Sequence, residues 1–286
     1  MSAPRHTTTS VTVTKPGLEL DLAAQALTNA AAKAGAAIMA HYAGPIEVET
    51  KDDASPVTQA DRDAEAVILA ALRTLAPHIP VVSEETAQDR SATRAPRFFL
   101  VDPLDGTKEF IKKRTDFTVN IALIEDGYPC FGLVYAPARR LLAVTIADGI
   151  AVEAELPPDP AGADLGALTQ RRLHARKADP NGLTALVSLS HLDPETEKFL
   201  EGLHIAERMS AGSSVKFLEI ARGRADVYPR FGPTMEWDTA AGHAVLEASG
   251  GHVVDAHGAR LHYGKTAESL RNPAFIAWGR TVLTPR

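Results

Sequence analysis

Phe98-Phe99-Leu100-Val101-Asp102-Pro103-Leu104-Asp105-Gly106-Thr107 carries an apolar run into two carboxylates and then into a Gly-Thr pair, followed by Lys108-Glu109-Phe110-Ile111. The apolar run predicts a short buried strand ending at Asp102, with Pro103 stiffening its exit. Open α/β sheets place their ligands beyond the carboxyl ends of strands. Gly106-Thr107 predicts a helix start, whose N–H groups and positive dipole end suit a phosphate. A lone Asp at such a start reads as an N-cap. The second Asp, the Pro and the Gly-Thr pair shift that reading towards chemistry. Carboxylates this close repel one another unless a cation lies between them. Magnesium takes hard oxygen ligands, so it suits Asp102, Asp105 and the Leu104 carbonyl.

Upstream, Leu27, Ala31, Ala34, Ile38 and Tyr42 recur at helical steps over Leu20 to Tyr42, and Ala64, Ile68, Leu72 and Leu75 do so over Thr58 to Leu75. Thr58 stands three residues before Asp61, the spacing of a capping box. Ile46 to Lys51 reads as a short strand and Asp52 to Pro56 as a turn. Downstream, Asp126-Gly127 between Phe117–Glu125 and Tyr128–Tyr135 predicts a hairpin, and Leu141–Ile146 and Ile150–Glu153 continue the meander. Pro157 to Gly166 reads as a loop. The last third alternates strands at Ala185–Ser190, His204–Arg208 and Ala225–Tyr228 with helices at Pro194–Gly202, Ser213–Arg222 and Asp238–Ala248. An α+β half therefore precedes an α/β half. The expected organisation is a flexible tail over 1–17, an N-terminal half over 18–156 with Asp102–Thr107, and a C-terminal half over 157–286 with Asp238.

The 286 residues are 45% hydrophobic and 23% charged, an ordinary globular composition. A net charge of −6 without a dense basic run argues against a nucleic-acid polymer as partner. The same charge repels a small anionic substrate, so local cations must hold one. No run of about twenty uncharged apolar residues exists, which excludes a membrane-spanning helix on sequence, and Met1 to Lys15 lacks the apolar core of a signal. The lone Cys130 excludes an internal disulfide and points to a reducing, cytoplasmic setting. Cys130 is expected to be buried and inert, and His243 and His252 to be structural.

Val81-Val82-Ser83-Glu84-Glu85 ends a second apolar run on carboxylates, and Glu236-Trp237-Asp238-Thr239-Ala240-Ala241-Gly242 opens a helix of small residues. Alone, the first reads as a solvated turn and the second as a capped helix. Together with Asp102–Thr107, and in this order and spacing, they resemble the signatures of the inositol monophosphatase superfamily. Asp102–Ile111, Thr118–Leu123, Gly212–Phe217 and Tyr228–Thr234 resemble most its bacterial CysQ-type branch, the 3′(2′),5′-bisphosphate nucleotidases. The resemblance runs from about Leu20 to the C-terminus.

That resemblance implies the layered αβαβα sandwich of the inositol monophosphatase and sugar phosphatase type. It implies two or three magnesium ions held by Glu84, Asp102, the Leu104 carbonyl, Asp105 and Asp238, with one ion activating water and its neighbour stabilising the leaving oxygen. Phosphate would pass to water by in-line attack, without a phosphoenzyme. Thr107 would orient or deprotonate that water, supported by Asp61, with Glu84 the third catalytic side chain. Ser213, Ser214, Lys216 and Arg230 would bind the phosphate that is not cleaved, and His191 the base or sugar. Glu84, Leu104, Asp105, Gly106, Thr107 and Asp238 would also touch substrate. On residues alone, Ser213–Lys216 reads instead as a helix start with a solvated Lys. Leu189 stands where many relatives carry Arg. The implied activity is hydrolysis of adenosine 3′,5′-bisphosphate to AMP and phosphate, recycling a by-product of sulfate assimilation, with 3′-phosphoadenosine phosphosulfate a further substrate. The implied protein is a lithium-sensitive monomer or homodimer in the cytoplasm, with peripheral association with the inner membrane left open. The alternatives are an inositol-1-monophosphatase, a fructose-1,6-bisphosphatase and a non-catalytic nucleotide sensor. The sensor should have lost an acidic ligand, and none is missing.

Overall fold

The computed structural model describes residues 19–51, 55–86, 93, 95–160, 162–179, 181–188, 193–265 and 270–285. The expected 1–17 tail, most of the 52–56 turn and His191 lie outside the described residues. Within these residues the helices are α1 (Leu20–Ala43), α2 (Gln59–Leu75), α3 (Thr107–Ile111), α4 (Pro194–Glu201), α5 (Val215–Ala221) and α6 (Glu236–Ala248). Among the described residues a seven-stranded sheet and a five-stranded sheet form, beside a two-stranded ribbon of Glu49–Thr50 and Pro56–Val57. Helices α1 and α2 cover one face of the larger sheet, while α5 and α6 lie between the two sheets and α4 covers the outer face of the smaller one. The fold is the layered αβαβα sandwich.

The central strand shows why. Arg97–Asp105 is buried on both faces: Phe99 and Val101 point into the core shared with α1 and α2, Phe98 and Leu100 into the core shared with α6. A strand buried on both sides reads as an unbroken apolar run, as Phe98–Val101 does. Helix α6 approaches the sheet closely over Gly132, where a Cβ would stand 2.3 Å from the Ala241 carbonyl oxygen. The small residues of Asp238–Gly242 make that approach feasible.

The hairpin forms at Asp126-Gly127, and both residues adopt the left-handed conformation, φ 49° and 83°, of a tight primed turn. The capping box also forms, with Thr58 at its start and Asp61 at N3. Four local expectations change. The Ile46–Lys51 strand shrinks to Glu49–Thr50, which is exposed and has only the short Pro56–Val57 to pair with. The Phe98 strand does not end at Asp102 but continues to Asp105, because a register shift between Asp102 and Asp105 absorbs Pro103 while pairing resumes at Thr118. Gln170–Arg172, beyond residue 156, joins the larger sheet as its edge strand. Cys130 is only partly buried rather than enclosed, and burial with the nearby Glu125 pushes its thiol up to about 11. His243 is fully buried against Tyr263, whereas His252 is exposed on a strand.

Candidate active site

The larger sheet assembles most of the acidic set by register. Val81–Ser83 runs parallel to Arg97–Asp105 with Ser83 opposite Val101, and Glu84 N donates to Val101 O at 3.0 Å. Glu84 and Asp102 are thus brought together at the carboxyl ends of adjacent parallel strands. The two carboxyls interact directly enough for each to shift the other. Asp102 is 1% exposed and its Oδ1 accepts from Leu104 N at 3.0 Å. Burial first, then the negative charge of Glu84, Asp105 and Asp238, holds Asp102 well above the usual carboxylate range. Glu84 and Asp238 are raised as well, again chiefly by burial.

Each carboxylate also answers to protein donors. Glu84 and Glu85 both accept from Lys51 Nζ, at 2.8 and 2.7 Å. Asp105 Oδ2 accepts from Ser213 Oγ at 2.6 Å, Ser214 N at 2.8 Å and Asn120 Nδ2 at 3.4 Å. Asp238, in the first turn of α6, accepts from Met235 N at 2.7 Å, so it caps its helix while facing the site. Among the described residues no three Asp, Glu, His or Cys side chains converge on one metal-sized point. The donor chemistry nevertheless suits magnesium: every group is a hard oxygen, and a cation among them would relieve the repulsion that raises Asp102.

Thr107 begins α3, the short helix through Ile111 that the sequence predicts. Its Oγ1 stands 3.2 Å from both Asp61 Oδ1 and Leu104 O. One hydroxyl hydrogen serves one of these acceptors, which leaves the oxygen lone pairs available to a water. Asp61 is 1% exposed and also accepts from Thr58 N at 2.8 Å and Thr58 Oγ1 at 2.6 Å. Burial raises its carboxyl while the Thr58 bonds oppose that rise. Gly106 makes the elbow between strand and helix at φ +92°, and a Cβ there would come within 2.9 Å of Asp116 O. That position excludes other residues by both conformation and space.

The second half completes the cleft. A cleft of about 150 Å³ is lined by Asp105 from the first half and by Lys216, Arg230 and Asp238 from the second. Ser213 sits in the left-handed region at φ 51°, in the turn that presents Ser213 and Ser214 to Asp105. Lys216 is not the solvated residue its position suggests: it is 5% exposed, and its Nζ donates to Ala211 O at 3.2 Å and Ser213 O at 2.9 Å. The α5 N-terminus is tucked under the Ser213 turn, so a residue of its first turn faces inward. Burial brings its ammonium down to about 8. Arg230 Nη1 donates to Ser188 Oγ at 2.9 Å.

Asn120, Thr118, Lys51 and Ser188 also belong to this site, and none was singled out by role in the sequence. For the first two a signal existed. Thr118 and Asn120 are polar residues at alternate positions of an apolar strand, and they face the same cleft. Lys51 and Ser188 carry no comparable local mark.

Among the described residues a seven-stranded and a five-stranded sheet alternate with three helix layers, the sandwich of the inositol monophosphatase type. A model of the inositol monophosphatase family matches residues 19–280, and the chain belongs to that family. It is 46% identical over 248 residues to the 3′(2′),5′-bisphosphate nucleotidase CysQ of Salmonella typhimurium, covering 86% of this chain and 95% of that protein. The CysQ of Haemophilus influenzae is 30% identical over 256 residues, covering 89% of its length. Among solved structures, CysQ from Bacteroides thetaiotaomicron superposes with a TM-score of 0.79 at 38% identity, covering 93% of this chain and all of that one (100%).

Proposed function

We propose that this chain is a magnesium-dependent phosphatase that hydrolyses adenosine 3′,5′-bisphosphate to AMP and phosphate, with 3′-phosphoadenosine phosphosulfate as a further substrate. One observation carries the nucleotide part: a single cleft is lined by Asp105 and Asp238 together with Lys216 and Arg230. A monophosphate needs only the acidic, metal-holding groups. A bisphosphate has a second anionic group, and a buried ammonium beside a guanidinium is the environment that group requires.

Glu84, Asp102, the Leu104 carbonyl, Asp105 and Asp238 would hold magnesium, which supplies water activation and stabilisation of the departing oxygen. The chain's own work is positioning. Thr107 accepts a hydrogen bond from the attacking water because its own hydrogen is committed to Asp61 or Leu104. Asp61, fixed by Thr58, keeps that hydroxyl aimed. Ser213, Ser214 and Asn120 hold Asp105 still. Lys216 and Arg230 hold the remaining phosphate, with Gly106, Ser213 and Ser214 near it, and His191 belongs to the same proposed contact set. The reading extends to recycling of a sulfate-assimilation by-product in the cytoplasm by a monomer or homodimer, and the two halves divided near residue 157 would separate catalysis from substrate choice. Among the described residues no helix is long and apolar enough to cross a membrane.

A phosphate-release panel with magnesium tests the assignment. Adenosine 3′,5′-bisphosphate should exceed inositol 1-phosphate and fructose 1,6-bisphosphate in kcat/KM by at least about 30-fold, the worth of one buried charge pair. A preference for inositol 1-phosphate would overturn the nucleotide assignment and leave an inositol monophosphatase.

A further inference from the structure

We propose that Asn272 is a positioning residue for Asp238 and sets the affinity of the site for magnesium, an inference that rests on the phosphatase reading above. Asp238 is the acidic residue contributed by the second half of the chain, so its position depends on how the start of α6 is held. The Met235 backbone is gripped on both sides of its Cα. Its N–H donates to Asp238 Oδ2 at 2.7 Å, and its carbonyl accepts from Asn272 Nδ2 at 2.7 Å. The same Asn272 amide reaches Thr239 Oγ1 at 3.0 Å and Thr234 Oγ1 at 3.2 Å, and Asn272 N donates to Thr234 O at 2.9 Å. One side chain therefore ties Thr234 and Met235, ahead of Asp238, to Thr239, the residue that follows it.

Asn272 is itself anchored. It is 7% exposed, and its Oδ1 accepts from Lys265 Nζ at 3.2 Å. Lys265 Nζ is shared at 3.0 Å with Glu236, which has no exposed surface and also accepts from Gly264 N at 2.8 Å. The amide is the one group of this size that donates towards Met235 and accepts from Lys265 at once. If the clamp slackens, Met235 N–H moves and the Asp238 carboxylate moves with it. Partners that orient ligands in this way typically alter metal affinity by about 10–100-fold.

Asn272→Asp separates this role from simple packing. It keeps the size and gains an ion pair with Lys265, but it sets an acceptor oxygen against Met235 O. Magnesium binding is measured on the whole protein by titration calorimetry without substrate, alongside thermal unfolding, steady-state kinetics and backbone amide exchange. N272D should fold, bind magnesium about 10–100-fold more weakly, and recover kcat to within about threefold of the parent at saturating magnesium. Exchange should accelerate at Met235–Asp238 and stay unchanged at Phe98–Val101. Lys265→Gln, which loosens Asn272 from its other side, carries the same expectation at smaller amplitude and serves if N272D does not fold. Unchanged magnesium affinity and unchanged exchange at Met235, or a lowered kcat with affinity intact, would overturn the positioning role. A parent protein that binds no magnesium would overturn the phosphatase reading itself, and is distinguished by the parent titration.

Discussion

Asp105→Asn is expected to lower phosphate release by about 10³-fold while leaving thermal stability unchanged or slightly raised. Both halves of that expectation come from how Asp105 is held. Its Oδ2 already receives Ser213 Oγ, Ser214 N and Asn120 Nδ2, so that face must present an oxygen. An Asn meeting this demand turns its NH₂ to the other face, where a cation would meet a donor in place of an anion. An Asn flipped the other way sets its NH₂ against the Ser214 N–H and breaks the tie across the two halves. Stability responds differently, because Asp105 is among the charges that hold Asp102 up, and neutralising it relieves repulsion. Parallel turnover and melting measurements check this. An Asp105→Asn enzyme within tenfold of the parent would leave the acidic wall without a catalytic role.

Lys216→Met should raise KM for the bisphosphate by about 30-fold or more, yet should not destabilise the fold at pH 7. Lys216 sits in a buried pocket where its ammonium falls from 10.5 to about 8. A displacement of that size corresponds to about 3 kcal/mol against the charged form. Removing the charge recovers that amount, offset by about 1–2 kcal/mol for the Ala211 and Ser213 carbonyls that lose their donor. The pH dependence follows in sign. Between pH 8 and 10.5 the unfolded chain keeps a proton that the folded Lys216 has released, so the parent gains stability as pH rises through this window. The Met variant loses that gain, and melting curves across the window measure it. Substrate affinity runs the other way: for the free enzyme, kcat/KM declines as pH climbs through about 8 and the ammonium is lost. A residue whose charge costs stability in the empty protein is one whose use lies in binding an anion.

Features written in consecutive residues were legible before any coordinates. Asp126-Gly127 announces its hairpin because two left-handed residues are needed there. Thr58 and Asp61 announce their capping box by a spacing of three. Phe98–Val101 announces a strand buried on both faces. What the chain could not announce is which distant side chains share the site. Glu84 meets Asp102 because two parallel strands align Ser83 with Val101, and register is a property of the sheet. Lys51 reaches Glu84 and Glu85 from the end of a two-residue strand with no local mark of that purpose. Lys216 reads as a solvated helix residue in isolation, and only the packing of α5 under the Ser213 turn turns it inward. The Pro103 strand reads as ending at Asp102 and not at Asp105, because a register shift that accommodates proline has no signature beyond the proline itself.

The central claim joins one acidic wall to one reaction, and phosphate release from adenosine 3′,5′-bisphosphate under metal control tests it most directly. The enzyme is stripped with a chelator, assayed, and then assayed again as magnesium is returned. The account predicts no turnover when stripped, full recovery with magnesium, and AMP with inorganic phosphate as the products. Release that continues unchanged in chelator, or no release from this substrate at any magnesium concentration, would contradict it.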